Sequence, residues 1–194
     1  MTDSTPQVSS RHMQTFLEVV DRLEAADCAA IRAAIPGAML QAIHDHTSAS
    51  WLPIEVNLEV TRIVAERLGP ERAHNFFCDL LLAGFETPLL GSFAKGALRL
   101  AGTNPGFALK WVPKGFSLVF RNTGEWSTSD ITATTGRLAV DGLPTIMASE
   151  RLWLDSVASS LQALFKLTNK GGEIRVAEVD VSGGRATFRA NWPA

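Results

Sequence analysis

The residues best placed to do chemistry lie in one stretch, Ala73 to Leu90 (AHNFFCDLLLAGFETPLL), where His74, Cys78 and Asp79 interrupt an apolar run. On a helix, His74, Phe77, Cys78, Leu81 and Phe85 follow one another at three- and four-residue steps and so share a face. A His/Cys pair one turn apart offers zinc two ligands, but a structural zinc site takes about four. His44 and His46 would have to supply the rest. A Cys/His nucleophile needs an exposed, activated thiolate, whereas the neighbours of Cys78 are apolar. Packed in the core, Cys78 is simply a small hydrophobe; facing a cavity, it would also serve as an acyl attachment point. The stretch is apolar around most of its circumference, which marks a buried central helix and a natural cavity wall. It nominates His74, Phe77, Cys78, Leu81 and Phe85 as ligand-binding residues, with no catalytic and no metal-ligating set.

Other candidates carry less. Ser92 in LGSFA lacks the second glycine of a nucleophile elbow. Asp155 and Ser156 have no histidine near them in sequence to form a triad. Gly171-Gly172 and Gly183-Gly184 suit turns and do not follow a phosphate-loop pattern. Cys28 and Cys78 lie 50 residues apart without metal-ligand spacing, and a reducing cytoplasm disfavours a disulfide between them. Lys95, Arg99, Lys110 and Lys114, mixed with Phe93, Phe107 and Trp111, read as a solvated basic face rather than a lipid or nucleic-acid site. With no converging acid, base and nucleophile, an enzyme is the least supported class.

The 194 residues that must position these side chains are enough for one domain with an unstapled core. No apolar run reaches the ~18 residues of a membrane span. The opening MTDSTPQVSS lacks the basic start and apolar middle of a secretory signal. The expectation is a disordered tail over residues 1–10 and a single cytoplasmic domain over 11–194. The net charge of −2 gives no nucleic-acid footprint. Residues 1–94 hold 6 Arg and 12 acids, and residues 95–194 hold 12 bases and 8 acids, so the halves carry −6 and +4. That complementarity suits packing of the halves or head-to-tail association.

The first half reads as helical. TFLEVVDRLEAADCAAIRAAI runs as one helix to Pro36, although HMQTFLEVV also suits a strand. GAMLQAIHDH is a second helix. WLPIEVNLEVTRIVAERLG has Pro53 in its first turn and Gly69 at its stop, and PERAHNFFCDLLLAGFETPLL begins at Pro70. GSFAKGALRLAG and NPGFALKWVP are shorter helical pieces. Beyond Pro113 the pattern turns to strands. KGFSLVFRNTGEWSTSDIT alternates Phe116, Leu118 and Phe120, then turns at Asn122-Thr123-Gly124, which predicts a hairpin. GRLAVDGLP continues as a strand. SERLWLDSVASSLQALFKLTNKGG is an amphipathic helix with Ser149 as N-cap and Gly171 as stop. EIRVAEVDV and RATFRANW form a second hairpin. The fold class is therefore α+β: a helical N-terminal half followed by a β-β-α-β-β unit forming an antiparallel sheet.

That order resembles the fold of transport-particle (TRAPP) subunits, H-NOX domains and 4-vinyl-reductase-type sensor domains. More closely, the chain resembles an uncharacterised family of about 200 residues found in myxobacteria and related bacteria. The residues carrying the likeness are WLPIEV (51–56), ERLG (66–69), FETPLL (85–90), RLAGTNPGFALKWVPKGFSLVFRNTGE (99–125), GLP (142–144), RLWLDSVASSLQALFKL (151–167) and FRANW (188–192). These are packing and turn signatures, so the resemblance implies fold more than function. H-NOX domains hold haem through a proximal His and a Tyr-x-Ser-x-Arg motif; this chain has no tyrosine, so no cofactor is expected. Vinyl-reductase-type domains often carry two cysteines near the C-terminal hairpin, where EVDVSGGRATFR has none. Some transport-particle subunits carry a fatty acyl chain on a cysteine inside a hydrophobic channel, a part that the resemblance would assign to Cys78.

The function expected first is a non-enzymatic bacterial sensor or binding domain that takes a small hydrophobic or acyl ligand into an internal pocket. The alternative is a transport-particle-like interaction scaffold with a filled core. A homodimer or a protein partner is implied in either case, with neither nucleic acid nor a membrane span.

Overall fold

Apolar spacing organises the first half into helices laid around one long helix. The structure, a computed structural model, describes residues 5–87, 90–91 and 104–194. Helices α1 (Ser10–Val20), α2 (Ala25–Ala34) and α3 (Gly37–Asp45) precede α4 (Ile54–Glu86). Met13, Phe16, Leu17 and Val20 are the buried stripe of α1, which packs on α4. The single helix expected up to Pro36 is two. The chain turns at residues 21–24, and Arg32 of α2 reaches back to Asp21 at 2.7 Å. Within α4 the one non-helical residue is Gly69, at φ 73° and ψ 170°. Pro70 follows it and lacks the N–H that an unbroken helix would use. The two helices expected on either side of Gly69 thus run on across a kink.

Gln7–Ser9, inside the stretch expected to be a tail, form strand β1. It pairs antiparallel with β2 (Trp51–Pro53) on one side and β3 (Phe120–Arg121) on the other. Val8 is fully buried and anchors it. The hairpin expected around Asn122 does not form. Val112–Val119 are helical (α6), after a short α5 (Pro105–Lys110), and Phe120–Arg121 pair with β1 instead. Pro105 and Pro113 sit in the first turns of their helices, where proline is preorganised. Val112, Phe116 and Val119 meet at helical steps, so the alternation of residues 116, 118 and 120 was a misleading period. GSFAKGALRLAG lies outside the described residues except for Gly91, and so do Ser92, Phe93, Lys95 and Arg99.

The second sheet is the one the sequence led us to expect. Strands β4 (Glu125–Ser129), β5 (Thr135–Asp141), β6 (Glu173–Asp180) and β7 (Arg185–Asn191) lie in the order β4-β5-β7-β6, antiparallel throughout. Between β5 and β6 come α7 (Thr145–Ala148), α8 (Arg151–Leu161) and α9 (Ala163–Thr168). The long amphipathic helix is therefore interrupted at Gln162. Glu150, rather than Ser149, occupies its N-cap position, and Asn169 ends it in the left-handed conformation at φ 51°. α8 packs on α4 on one side and on β6 on the other. Leu138, Val140, Ala186, Phe188 and Ala190 are the buried side chains of the two central strands. The architecture is α+β, with the helical half in front of the β-β-α-β-β sheet. No helix among the described residues is long and apolar enough to cross a membrane.

Candidate functional site

The second half of α4 presents Phe77, Leu80, Leu81, Gly84 and Phe85 along one stripe, and that stripe faces a cavity of about 130 Å³. Opposite stand Val112, Phe116 and Val119 of α6, and Trp153, Val157 and Leu161 of α8. α1 closes one end with His12 and Phe16. Aromatic contacts stiffen two walls. Phe16 meets Phe77 edge-on at 6.2 Å, and Phe120 meets Trp153 edge-on at 5.9 Å. Phe116 stacks on Trp126 at 3.9 Å, so this wall is braced against the sheet. No Asp, Glu, Lys or Arg lines the cavity among the described residues.

Its few polar groups differ in how they are satisfied. Asn57, 2% exposed, accepts the indole N–H of Trp153 through Oδ1 at 2.8 Å, and its Nδ2 donates to the Met13 sulfur at 3.4 Å. Ser156 donates to the Trp153 carbonyl at 2.7 Å. Thr61 and Ser160 add hydroxyls from α4 and α8, and a helical hydroxyl can turn to the carbonyl one turn back. His12 is different. Its ring tilts against Phe120 at 5.8 Å, and neither nitrogen has a hydrogen-bond partner among the described residues. Burial pulls its pKa down to about 4, because the surroundings penalise the imidazolium and no carboxylate compensates. At neutral pH it is an uncharged imidazole, with one N–H and one bare nitrogen.

The five residues nominated from sequence separate. Phe77, Leu81 and Phe85 line the cavity. His74 and Cys78 instead border a shallow depression on another side of α4, with Gln162, Phe165 and Lys166. His74 is exposed, and its Nδ1 lies 3.1 Å from the Ser159 hydroxyl. Cys78 is buried. Burial pushes its thiol pKa up, and nearby Lys166 offsets part of that. Lys166 also reaches Asp79 at 3.3 Å. The sulfur is therefore a thiol rather than a thiolate, which is the inert form. Among the described residues no group of three or more His, Cys, Asp or Glu is placed to hold a metal.

His12, Asn57, Trp153 and the α6 residues are cavity features that the sequence reading missed. One signal was present. Asn57 and Thr61 continue with Val64 and Leu68 on the three- and four-residue spacing that the amphipathic pattern reserves for apolar residues. A polar pair on a buried stripe marks an internal polar contact. His12 likewise precedes Phe16 by one turn. Nothing in the sequence brings α6 and α8 to the same cavity.

No protein family matches the chain by sequence, and no curated protein matches it. Solved structures do. The chain is similar to the Fe(II) unliganded H-NOX protein from K. algicida, with 12% identity and a TM-score of 0.65, over 96% of this chain and 97% of that one. It is also similar to an oxygen-binding H-NOX domain related to soluble guanylate cyclases, with 10% identity and a TM-score of 0.61, over 96% and 95%. A mutant of the T. tengcongensis H-NOX gives 10% identity and a TM-score of 0.59, over 96% and 98%. The fold is H-NOX-like over nearly the whole chain.

Proposed function

We propose that this chain is a non-enzymatic sensor or binding domain that takes a small hydrophobic molecule into the cavity between α1, α4, α6 and α8. The observation that carries this reading is the cavity itself, about 130 Å³ walled by aromatic and aliphatic side chains without a charged group among the described residues. Native interiors are close-packed, so the side chains around a recess of that size lack the contacts that a packed interior would give them. Occupancy by an apolar guest restores those contacts. A scaffold with a filled core gives no reason for such a void.

The H-NOX-like fold raises haem as the guest, since solved neighbours are described as Fe(II) and oxygen-binding proteins. The lining does not fit it. A porphyrin is several times larger than 130 Å³, and its propionates call for cations that the described lining lacks. His12 is the one imidazole on the cavity among the described residues, and the chain holds no tyrosine. We therefore assign no step to haem. Cys78 does not border the cavity among the described residues, so an acyl chain attached there would lie in the surface depression. The ligand of this reading is held without a covalent bond.

Mass spectrometry of the purified protein under native and denaturing conditions, with a toluene titration, tests this. The expected result is saturable toluene binding that raises the melting temperature, with any mass surplus lost on denaturation. A surplus that survives denaturation and maps to Cys78 would replace the reading with covalent attachment. Absence of saturable toluene binding would remove the cavity as a ligand site.

A further inference from the structure

Among the described residues one rigid polar ring on the cavity, that of His12, has no hydrogen-bond partner, and that ring restricts the guest. His12 is half-buried and lines the cavity. Either tautomer leaves one ring N–H and one bare nitrogen unpaired among the described residues. Asn57 adds a second opening: its amide has two N–H donors, of which the Met13 sulfur accounts for one. A polar nitrogen on an otherwise apolar wall gains from a hydrogen-bond partner in the space it borders. The hydroxyls of Thr61 and Ser160 can rotate to carbonyls of their own helices, an option that the fixed nitrogens of an imidazole lack.

We propose that the cavity takes a neutral molecule of about one six-membered ring carrying a single hydroxyl, a small phenol or compact alcohol, and that the hydroxyl pairs with the imidazole of His12. This rests on the cavity-binding reading above and narrows it. Size follows from the volume, because an engineered cavity of roughly 150 Å³ holds benzene and this one is about 130 Å³. A hydroxyl follows from the donor and acceptor pattern. It donates to the bare nitrogen or accepts from the N–H, so it satisfies either tautomer, whereas an ether or ketone can only accept. Neutrality follows from the wall. The described lining is almost wholly apolar and holds no Lys or Arg, so among those residues a carboxylate would meet no cation in exchange for its water. The apolar stripe of α4 supports the ring while His12 at the α1 end orients it.

The test compares toluene, phenol and benzoate on the intact chain. Emission is the readout, since Trp111 and Trp153 line the cavity. Phenol should bind about tenfold more tightly than toluene, the net worth of one hydrogen bond. Benzoate should bind more weakly than either. In His12→Leu, of similar bulk, the preference for phenol should vanish or reverse while toluene still binds. Toluene binding as tightly as phenol to the unaltered protein would overturn the hydroxyl assignment, and this comparison needs no variant to fold. Benzoate binding most tightly would overturn neutrality. If none of the three binds, the cavity-binding reading itself has failed, which toluene alone distinguishes.

Discussion

Phe77 and Cys78 are adjacent on α4 and almost equally buried, at 4% and 1% exposure, yet they belong to different chemistries. Phe77 looks into a cavity walled by α1, α6 and α8 with no charged side chain among the described residues. Cys78 sits beneath the rim of a depression where Lys166 and His74 meet water, and Lys166 reaches from that rim to Asp79. A rotation of about 100° per residue separates the two, and what packs opposite decides the rest. On the cavity side, desolvation acts alone and holds His12 neutral. On the other side, the cation of Lys166 partly compensates the burial of the thiol. A helical wheel places both residues on one broad face, so burial alone does not distinguish a pocket wall from the underside of a charged rim.

Perturbations on both sides of α4 would sharpen or break this contrast. Phe77→Ala removes a ring that Phe16 and Phe76 both touch, and should cost about 3–5 kcal/mol in urea unfolding. A loss below 1 kcal/mol, roughly a surface effect, would mean that the wall is not packed. Second comes pH. The His12 pKa falls from 6.5 to about 4 on folding, so the unfolded chain binds that proton more readily. Stability is then complete above about pH 6.5, declines as the pH falls toward 4, and levels off below it. The contribution is on the order of 3 kcal/mol. Comparing urea midpoints across that window should show it, and His12→Leu should flatten that part of the profile. An unchanged slope in the variant would place the titration elsewhere. The smallest effects belong to the other side of α4. Cys78→Ala should cost about 1 kcal/mol and leave toluene affinity within about twofold, while Asp79→Asn, which loses only an exposed pair with Lys166, should cost under about 0.5 kcal/mol. A large drop in toluene binding in Cys78→Ala would merge the two sides into one site.

Much of the fold was legible because local chemistry and tertiary packing agreed. Gly69-Pro70 marks the kink in α4 by backbone geometry alone, and Asp180 to Arg185 turns where Gly184 takes a positive φ of 61°. Strands β5, β6 and β7 were expected where they lie. The misreading of residues 115–121 shows the limit. Phe116, Leu118 and Phe120 alternate as a strand would, yet a helix buries residues at similar intervals over so short a window. Contact with the rest of the fold favours the helix. Strand β1 was missed for the complementary reason: three residues gain strand structure only from partners more than forty positions away, at Trp51–Pro53 and Phe120–Arg121.

By itself the sequence determined that α4 would be buried, that an α+β chain with a β-β-α-β-β sheet would follow it, and that no tyrosine is present. These are properties of composition and short-range period, which each segment carries without its neighbours. Only the tertiary structure decided that Phe77, Leu81 and Phe85 share a cavity with Phe116 and Trp153 while His74 and Cys78 do not. It also decided that an unremarked histidine in the first helix would be the titratable group on that wall, with no partner among the described residues. A cavity is space left between elements, so its position depends on the crossing of α1, α4, α6 and α8, and no single segment encodes that crossing.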